Sequence, residues 1–222
     1  MKRTPLHLRN LPGYTAGEEL ANAISHTAGF ALGAAATVPI LLRASRGGAV
    51  TVAAIAIYCA AICTLYAMSA IYHWLPRCTG KKVMQVLDHC TIYFLIAGTY
   101  TPIAMLAIAP VYPAIGIGLT VFQWALAALA ITLTAVDLKK YNVFSMICYI
   151  GMGWAVLPFL KQLRQLLGQT GFALLLSGGI AYTIGAILYG IGSKRRWFHF
   201  VFHLFVLLGS FLQFLCICFY VL

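Results

Sequence analysis

Two histidines, His199 and His203, stand near the start of the last apolar segment, which reads WFHFVFHLFVLLGSFLQFLCICFYVL from Trp197. Residues four apart on a helix share a face, with side chains about 6 Å apart, so both imidazoles can bind one ion. The stretch SAIYHWLP places Ser69 and His73 at the same spacing. Three imidazoles and an oxygen ligand or water form the usual catalytic zinc site, with one position open for chemistry. We therefore predict a metal site of His73, His199 and His203.

An aspartate, Asp88 of LDHC, begins another apolar segment. A carboxylate in hydrocarbon costs several kcal/mol unless it is paired, and a divalent cation beside it removes that penalty. We predict that Asp88 either orients a ligand or holds the metal-bound water. His26 and His89 are expected to be packing residues or outer partners of the site. Imidazole-rich sites favour zinc, copper, iron or nickel over magnesium and calcium, so the residues alone leave the metal open.

The elements that must position these residues are long apolar segments. The chain is 62% hydrophobic and only 9% charged, whereas a soluble domain carries about 25% charged residues. A membrane-spanning helix needs about 20 mostly apolar residues. Seven segments meet that length: 21–42, 49–75, 84–109, 111–135, 142–160, 170–192 and 197–221. We predict an all-α polytopic membrane protein, with residues 1–20 as a cytoplasmic tail and 21–222 as one seven-helix domain.

The direction of the segments follows from the distribution of Lys and Arg, which are enriched in cytoplasmic loops. With the N-terminus inside, eleven lie in cytoplasmic segments: Lys2, Arg3, Arg9, Arg77, Lys81, Lys82, Lys139, Lys140, Lys194, Arg195 and Arg196. Four lie outside: Arg43, Arg46, Lys161 and Arg164. The charges therefore predict a cytoplasmic N-terminus and an external C-terminus.

The predicted direction of each segment determines how deep in the membrane each of its polar residues lies. Ser69 and His73 fall near the cytoplasmic end of the second segment, and Asp88 near the cytoplasmic start of the third. His199 and His203 fall near the cytoplasmic start of the seventh. Helices remote in sequence thus bring their ionisable residues to one leaflet, and this coincidence strengthens the prediction of a metal site.

Several protein classes are excluded by these features. The formal charge of +11 resides in the tail and loops, where it serves topology and anionic headgroups, so nucleic acid is not an expected partner. The predicted orientation is opposite to that of G-protein-coupled receptors. The seventh segment has no lysine for retinal, which excludes a microbial rhodopsin.

The seven cysteines form no CxxC pair and are predicted to be packing residues.

Five motifs resemble the bacterial hemolysin III family, the prokaryotic branch of the progestin and adiponectin receptor superfamily. They are EELANAISHTAGF, SAIYHWLP, LDHCTIYFLIAGTYTP, GMGWAVLPF and HFVFHLFVLLGS. The resemblance implies a seven-helix protein of the bacterial inner membrane, with zinc held by His73, His199 and His203 near the cytoplasmic face. The chain departs from many relatives at Gln213, where a further histidine is expected.

The resemblance implies three functions. The first is a zinc-dependent hydrolase of lipid amides or esters, in which Asp88 activates water and Ser69 stabilises the oxyanion. The second is a sensor or regulator of membrane state with structural zinc. The third is a channel or cytolysin, although the fourth to sixth segments have no ionisable residue between their ends. Two roles are open for Glu18 and Glu19. They either belong to an amphipathic segment that precedes the first membrane helix, or form a charge pair that favours the start of that helix.

Overall fold

The computed structural model describes residues 4–192 and 195–222, and this part of the chain is helical with no β-strand. The α-helices are α1 (Ala16–Ala44), α2 (Ala49–Trp74), α3 (Thr79–Pro102), α4 (Pro113–Val136), α5 (Asn142–Gly153), α6 (Leu160–Gly192) and α7 (Phe198–Cys216). Short π-helical segments, Ile103–Ile108 and Ile217–Val221, continue α3 and α7. Lys2, Arg3 and Lys194, which enter the charge count above, lie outside the described residues.

Six helical stretches of the described chain are long and apolar enough to cross a membrane. They are Ala16–Gly47, Ala49–Trp74, Thr79–Ile108, Pro113–Val136, Asn142–Ile191 and Phe198–Val221. The predicted all-α, multi-pass membrane architecture is therefore confirmed. The predicted segments 142–160 and 170–192 both fall in the fifth stretch, which has 50 residues. Seven crossings and the sides of the termini remain predictions.

The fifth stretch is interrupted rather than continuous. Helix α5 has 12 residues, which is about 18 Å of helix and shorter than a bilayer core. Pro158, which has no N–H to donate, lies in the 3₁₀ turn Leu157–Phe159 that follows. Within α6, Gly168 has φ 66° and ψ 179°, a conformation that glycine adopts without a steric penalty. The segment 142–160 is therefore a short helix followed by a turn.

Helix α1 begins at Ala16, before the predicted start at residue 21, because Thr15 and Glu18 form a capping box. The Thr15 hydroxyl accepts from the Glu18 N–H at 3.3 Å, and the Glu18 carboxylate accepts from the Thr15 N–H at 2.9 Å. These bonds satisfy two N–H groups that a helix start leaves unpaired. The first turn consequently holds both Glu18 and Glu19 in fixed positions.

The helices pack so that the first and the last helix are neighbours. Helix α7 packs against both α6 and α1, and α2 lies against α1 and α3. Buried tyrosines of α2, Tyr58 and Tyr66, belong to the main apolar core together with Leu95 of α3 and Val206 of α7. This arrangement brings the start of α1, the end of α2 and the start of α7 together.

Replacing Gly98 with alanine should separate α3 from α2. A Cβ at Gly98 would lie 2.4 Å from the Cβ of Ala61, and neither atom can rotate away. Such overpacking costs typically 1 to 3 kcal/mol, so the free energy of unfolding in mixed micelles should fall by about 2 kcal/mol. The matched control is Gly118→Ala on α4, where a Cβ meets nothing within 4 Å. Equal stability of the two variants would contradict the close approach.

Candidate metal centre

Three buried imidazoles converge where α2 ends and α7 begins. The Nε2 atom of His199 lies 3.3 Å from that of His73 and 3.1 Å from that of His203. All three candidate ligand atoms lie within 4.8 Å of one another. The residues are 3%, 8% and 1% exposed for His73, His199 and His203 respectively. The three histidines predicted from spacing and depth are thus brought together.

The start of α7 is fixed by α1. Trp197, the residue before α7, has a left-handed backbone with φ 67°, which costs a non-glycine residue free energy. Its N–H donates to a Glu18 carboxylate oxygen at 2.7 Å. A charge-assisted hydrogen bond of this length is strong. Glu18 therefore helps to hold His199 and His203, on the first turns of α7, at the site.

The outer nitrogens of two imidazoles have partners that define their tautomers. His73 Nδ1 lies 2.7 Å from a Glu19 carboxylate oxygen, which can only accept. His203 Nδ1 lies 3.3 Å from the Ser25 hydroxyl, which itself donates to the Asn22 carbonyl at 2.9 Å. Both Nδ1 atoms therefore carry the hydrogen. The Nε2 lone pairs of His73 and His203 consequently face the centre of the cluster.

This donor set fits a divalent cation. His199 Nε2 can carry at most one hydrogen, so no more than one of its contacts with the other two Nε2 atoms is a hydrogen bond. At least one of the two contacts, of 3.3 and 3.1 Å, is therefore a close approach of two buried ring nitrogens without a hydrogen bond between them. A metal ion would turn such a contact into coordination, and neutral imidazole nitrogens are ligands that zinc accepts. A histidine whose other N–H donates to a carboxylate is the usual arrangement at such sites.

Two aromatic rings cover the cluster. His26 of α1 stacks on His203 with a centroid distance of 3.6 Å and an interplanar angle of 8°. Tyr14, just before α1, stacks on His199 at 4.9 Å and 21°. Burial raises the pKa of the Tyr14 phenol above its usual range, so this residue is a neutral cover. His26 thus packs against a candidate ligand, as the sequence suggested.

Asp88 and Ser69 line the same cavity as His199 and His203, but neither belongs to the three-histidine group. The Asp88 carboxylate lies 3.9 Å from His89 Nδ1. His89 is occupied elsewhere, because its Nδ1 lies 2.8 Å from the Gln85 carbonyl and its Nε2 lies 2.9 Å from the Tyr189 hydroxyl. Asp88 therefore shares the cavity with two of the candidate ligands, His199 and His203.

The cavity of about 150 Å³ runs away from the histidines between α3, α5, α6 and α7. Its walls are mostly apolar, with Ile92, Ile96 and Leu175 among them. At the far end lies Gln213, whose amide nitrogen donates to the Leu175 carbonyl at 2.9 Å. Ten residues of helix separate Gln213 from His203, which is about 15 Å. The cavity therefore joins a polar end at the histidines to a long apolar passage.

The comparisons with known proteins place the chain in a family. The sequence model described as "Haemolysin-III related" matches residues 14–214. The chain belongs to the haemolysin III family. It is 38% identical to Hemolysin-3 of Bacillus cereus over 206 residues, 92% of each chain. It is 36% identical to the Hemolysin-3 homolog of Bacillus subtilis over 208 residues, 93% of this chain and 96% of the relative.

A more distant similarity extends to animals. The human monocyte to macrophage differentiation factor is 25% identical over 157 residues, 68% of this chain and 63% of the relative. The resemblance drawn from the five motifs is thereby confirmed. This haemolysin III protein is a multi-pass bacterial membrane protein with a buried group of three histidines that can hold a metal ion.

Residues 4–15, before α1, are packed against the haemolysin III bundle rather than extended from it. The Thr4 N–H donates to Asp137 at 3.3 Å, and the Arg9 guanidinium donates to the Val136 carbonyl at 3.0 Å. Arg77 donates to the Leu11 carbonyl at 3.3 Å. Hydrogen bonds from the Lys140 and Thr4 N–H groups hold the pKa of Asp137 below its usual range. This segment, residues 4–15, brings Tyr14 onto His199.

Glu19 is the site residue that sequence reasoning left open. It contacts His73, on another helix, and the Lys81 ammonium at 2.8 Å. Lys81 entered the sequence analysis only as one charge in a topology count. A carboxylate next to a helix start has an ordinary role in favouring that start, so its type and position carried no sign of an imidazole partner.

Proposed function

We propose that this protein is a zinc-dependent hydrolase of lipid amides or esters that acts in membrane lipid homeostasis. The observation that carries the proposal is a three-histidine group at an apolar cavity, which His199 and His203 line together with Asp88 and Ser69. A carboxylate and a hydroxyl in the same cavity as candidate zinc ligands are the groups that hydrolysis requires. The apolar passage suits an acyl chain that enters from the bilayer.

The residues that would hold zinc are His73, His199 and His203. Three protein ligands leave a fourth position for water or substrate, as in catalytic rather than structural zinc sites. When bound, zinc supplies a Lewis acid that polarises a carbonyl and lowers the pKa of a coordinated water toward about 7.

The chain's own residues would have the following roles. Asp88, outside the ligand group, would accept a proton from the attacking water. Ser69 would donate a hydrogen bond to the carbonyl oxygen as negative charge develops there. The walls formed by α3, α5, α6 and α7 bind the apolar part of the lipid and keep bulk water from the reacting bond.

A structural role for zinc is the second candidate, and the burial of the cluster favours it. All three histidines are buried, and Tyr14 and His26 stack on two of them. In that case zinc would join α2 to α7 in a protein that senses or regulates the state of the membrane. A closed structural site requires a fourth protein ligand, so Asp88 would have to complete the set.

Metal removal separates the two candidates. The purified protein in lipid nanodiscs is supplied with zinc and given a panel of fluorescent lipids with amide or ester bonds. We expect hydrolysis that stops after removal of zinc with a chelator and returns when zinc, but not magnesium, is restored. Bound zinc without turnover of any lipid in the panel would overturn the hydrolase and favour the structural role.

A further inference from the structure

Glu19 binds one partner with each oxygen of its carboxylate. One oxygen lies 2.7 Å from His73 Nδ1 and the other lies 2.8 Å from Lys81 Nζ. The side chains of His73 and Lys81 are 0% and 3% exposed, and that of Glu19 is 20% exposed. This contact joins α1, α2 and α3 immediately behind a candidate metal ligand.

Lys81 cannot leave this position without losing other bonds. Its ammonium also donates to the Leu75 carbonyl at 2.9 Å and lies 3.4 Å from the His73 carbonyl. An ammonium has three hydrogens, and these two carbonyls with Glu19 account for all three. The carbonyls lie at the end of α2, where a helix leaves its last C=O groups unpaired. Lys81 thus closes the end of α2 and holds the Glu19 carboxylate in place.

The main chain of Glu19 is fixed as well. It lies on the first turn of α1, directly after Glu18 and the capping box with Thr15. A negative charge is favourable at the N-terminal turn of a helix. The Glu19 carboxylate is therefore positioned by the start of α1 on one side and by Lys81 on the other, with or without a metal.

We infer that Glu19 is a positioning residue of the metal site, which sets the tautomer and the orientation of His73. Because the carboxylate only accepts, the hydrogen of His73 stays on Nδ1 and the Nε2 lone pair points at His199 and His203. Lys81 neutralises Glu19 in the buried environment, so the arrangement is formed before the metal arrives. The inference rests on the metal-binding part of the proposed function. His203, in contrast, relies on the neutral partner Ser25.

The test is zinc affinity in a Glu19→Gln variant of the full-length protein. A glutamine has the same shape, but it lacks the charge and can offer its N–H₂ to His73 Nδ1, which would move the hydrogen to Nε2. Loss of an outer partner of this kind typically lowers metal affinity about 10- to 100-fold. We expect that decrease in a competition titration with a zinc chelator, with the helical circular dichroism unchanged.

The matched control is Asp137→Asn. It removes one carboxylate charge at the end of α4, outside both the cavity lining and the histidine group, so zinc affinity should remain that of the wild type. Glu19→Asp keeps the charge and provides a second test if Glu19→Gln does not fold. Its zinc affinity should lie between those of the wild type and Glu19→Gln. Nitrogen NMR of the metal-free protein provides a second readout, with the His73 hydrogen on Nδ1 in the wild type and on Nε2 in Glu19→Gln.

The outcomes distinguish this inference from the proposed function. Wild-type affinity in Glu19→Gln, while the wild-type protein binds zinc, would overturn the positioning role and leave the hydrolase standing. Equal losses in Asp137→Asn and Glu19→Gln would also overturn it, because the effect would then be one of charge alone. Absence of zinc binding by the wild-type protein would overturn both.

Discussion

A His203→Ala variant should fold and lose its zinc, whereas the wild-type protein should hold about one zinc per chain, as three imidazoles require. His203 offers one of the three candidate ligands found among the described residues, and its Nε2 lies 3.1 Å from that of His199. Loss of an outer partner already costs about 10- to 100-fold in affinity, so loss of a ligand should cost more than about 100-fold. The measurement is metal content by mass spectrometry after dialysis, with circular dichroism as the check on folding.

His89→Ala is the control for this experiment. His89 lines the same cavity, but its two ring nitrogens are bonded to Gln85 and Tyr189. The variant should keep its zinc. Zinc retained by His203→Ala would show that the ion lies elsewhere. No zinc in the wild-type protein, even after zinc is supplied, would refute the hydrolase, and the histidines would then need explanation by hydrogen bonding alone.

An Asp88→Asn variant should keep its zinc and lose hydrolysis. Asp88 is outside the three-histidine group, so we expect the three imidazoles to bind zinc without it. An amide cannot accept a proton from water, and a positioned general base contributes typically 10²- to 10⁴-fold to a rate. We therefore expect kcat on a fluorescent lipid to fall by about 10³-fold with unchanged zinc content.

Asp137→Asn is the control, since Asp137 is the chain's other aspartate, and its carboxylate accepts from the N–H groups of Thr4 and Lys140 outside the cavity lining. It should turn over lipid at the wild-type rate. Joint loss of zinc and activity in Asp88→Asn would instead make Asp88 a fourth ligand and favour structural zinc. Unchanged activity would remove Asp88 from the mechanism.

The sequence predicted the membrane class and the meeting of His73, His199 and His203, because both depend on simple spacings. Long uncharged segments require lipid, and an i, i+4 pair of histidines must share a helix face. The charge bias then placed the histidines of two remote helices at one depth. That these residues bind zinc is still a prediction.

The outer partners could not be predicted, because they depend on contacts between helices. Glu19 and His73 are 54 residues apart, and no pattern links a carboxylate on the first turn of α1 to the end of α2. Tyr14 fell within a stretch predicted to be a tail. The shape of 142–160 was missed for a different reason: mean hydropathy measures a segment's apolar character but does not register the break that Pro158 and Gly168 introduce.

The distribution of the three histidines over the chain also has a consequence for biogenesis. His73 precedes His199 by 126 residues, and synthesis at about 5–20 residues per second separates their appearance by roughly 6 to 25 s. During that interval Glu19, His73 and Lys81 have already been synthesised, but the two imidazoles of the last helix do not yet exist. The ion can therefore be acquired only after the final helix has been made and has packed beside the first. Metal content then reports completed assembly, and a chain that stops before α7 is made without the site.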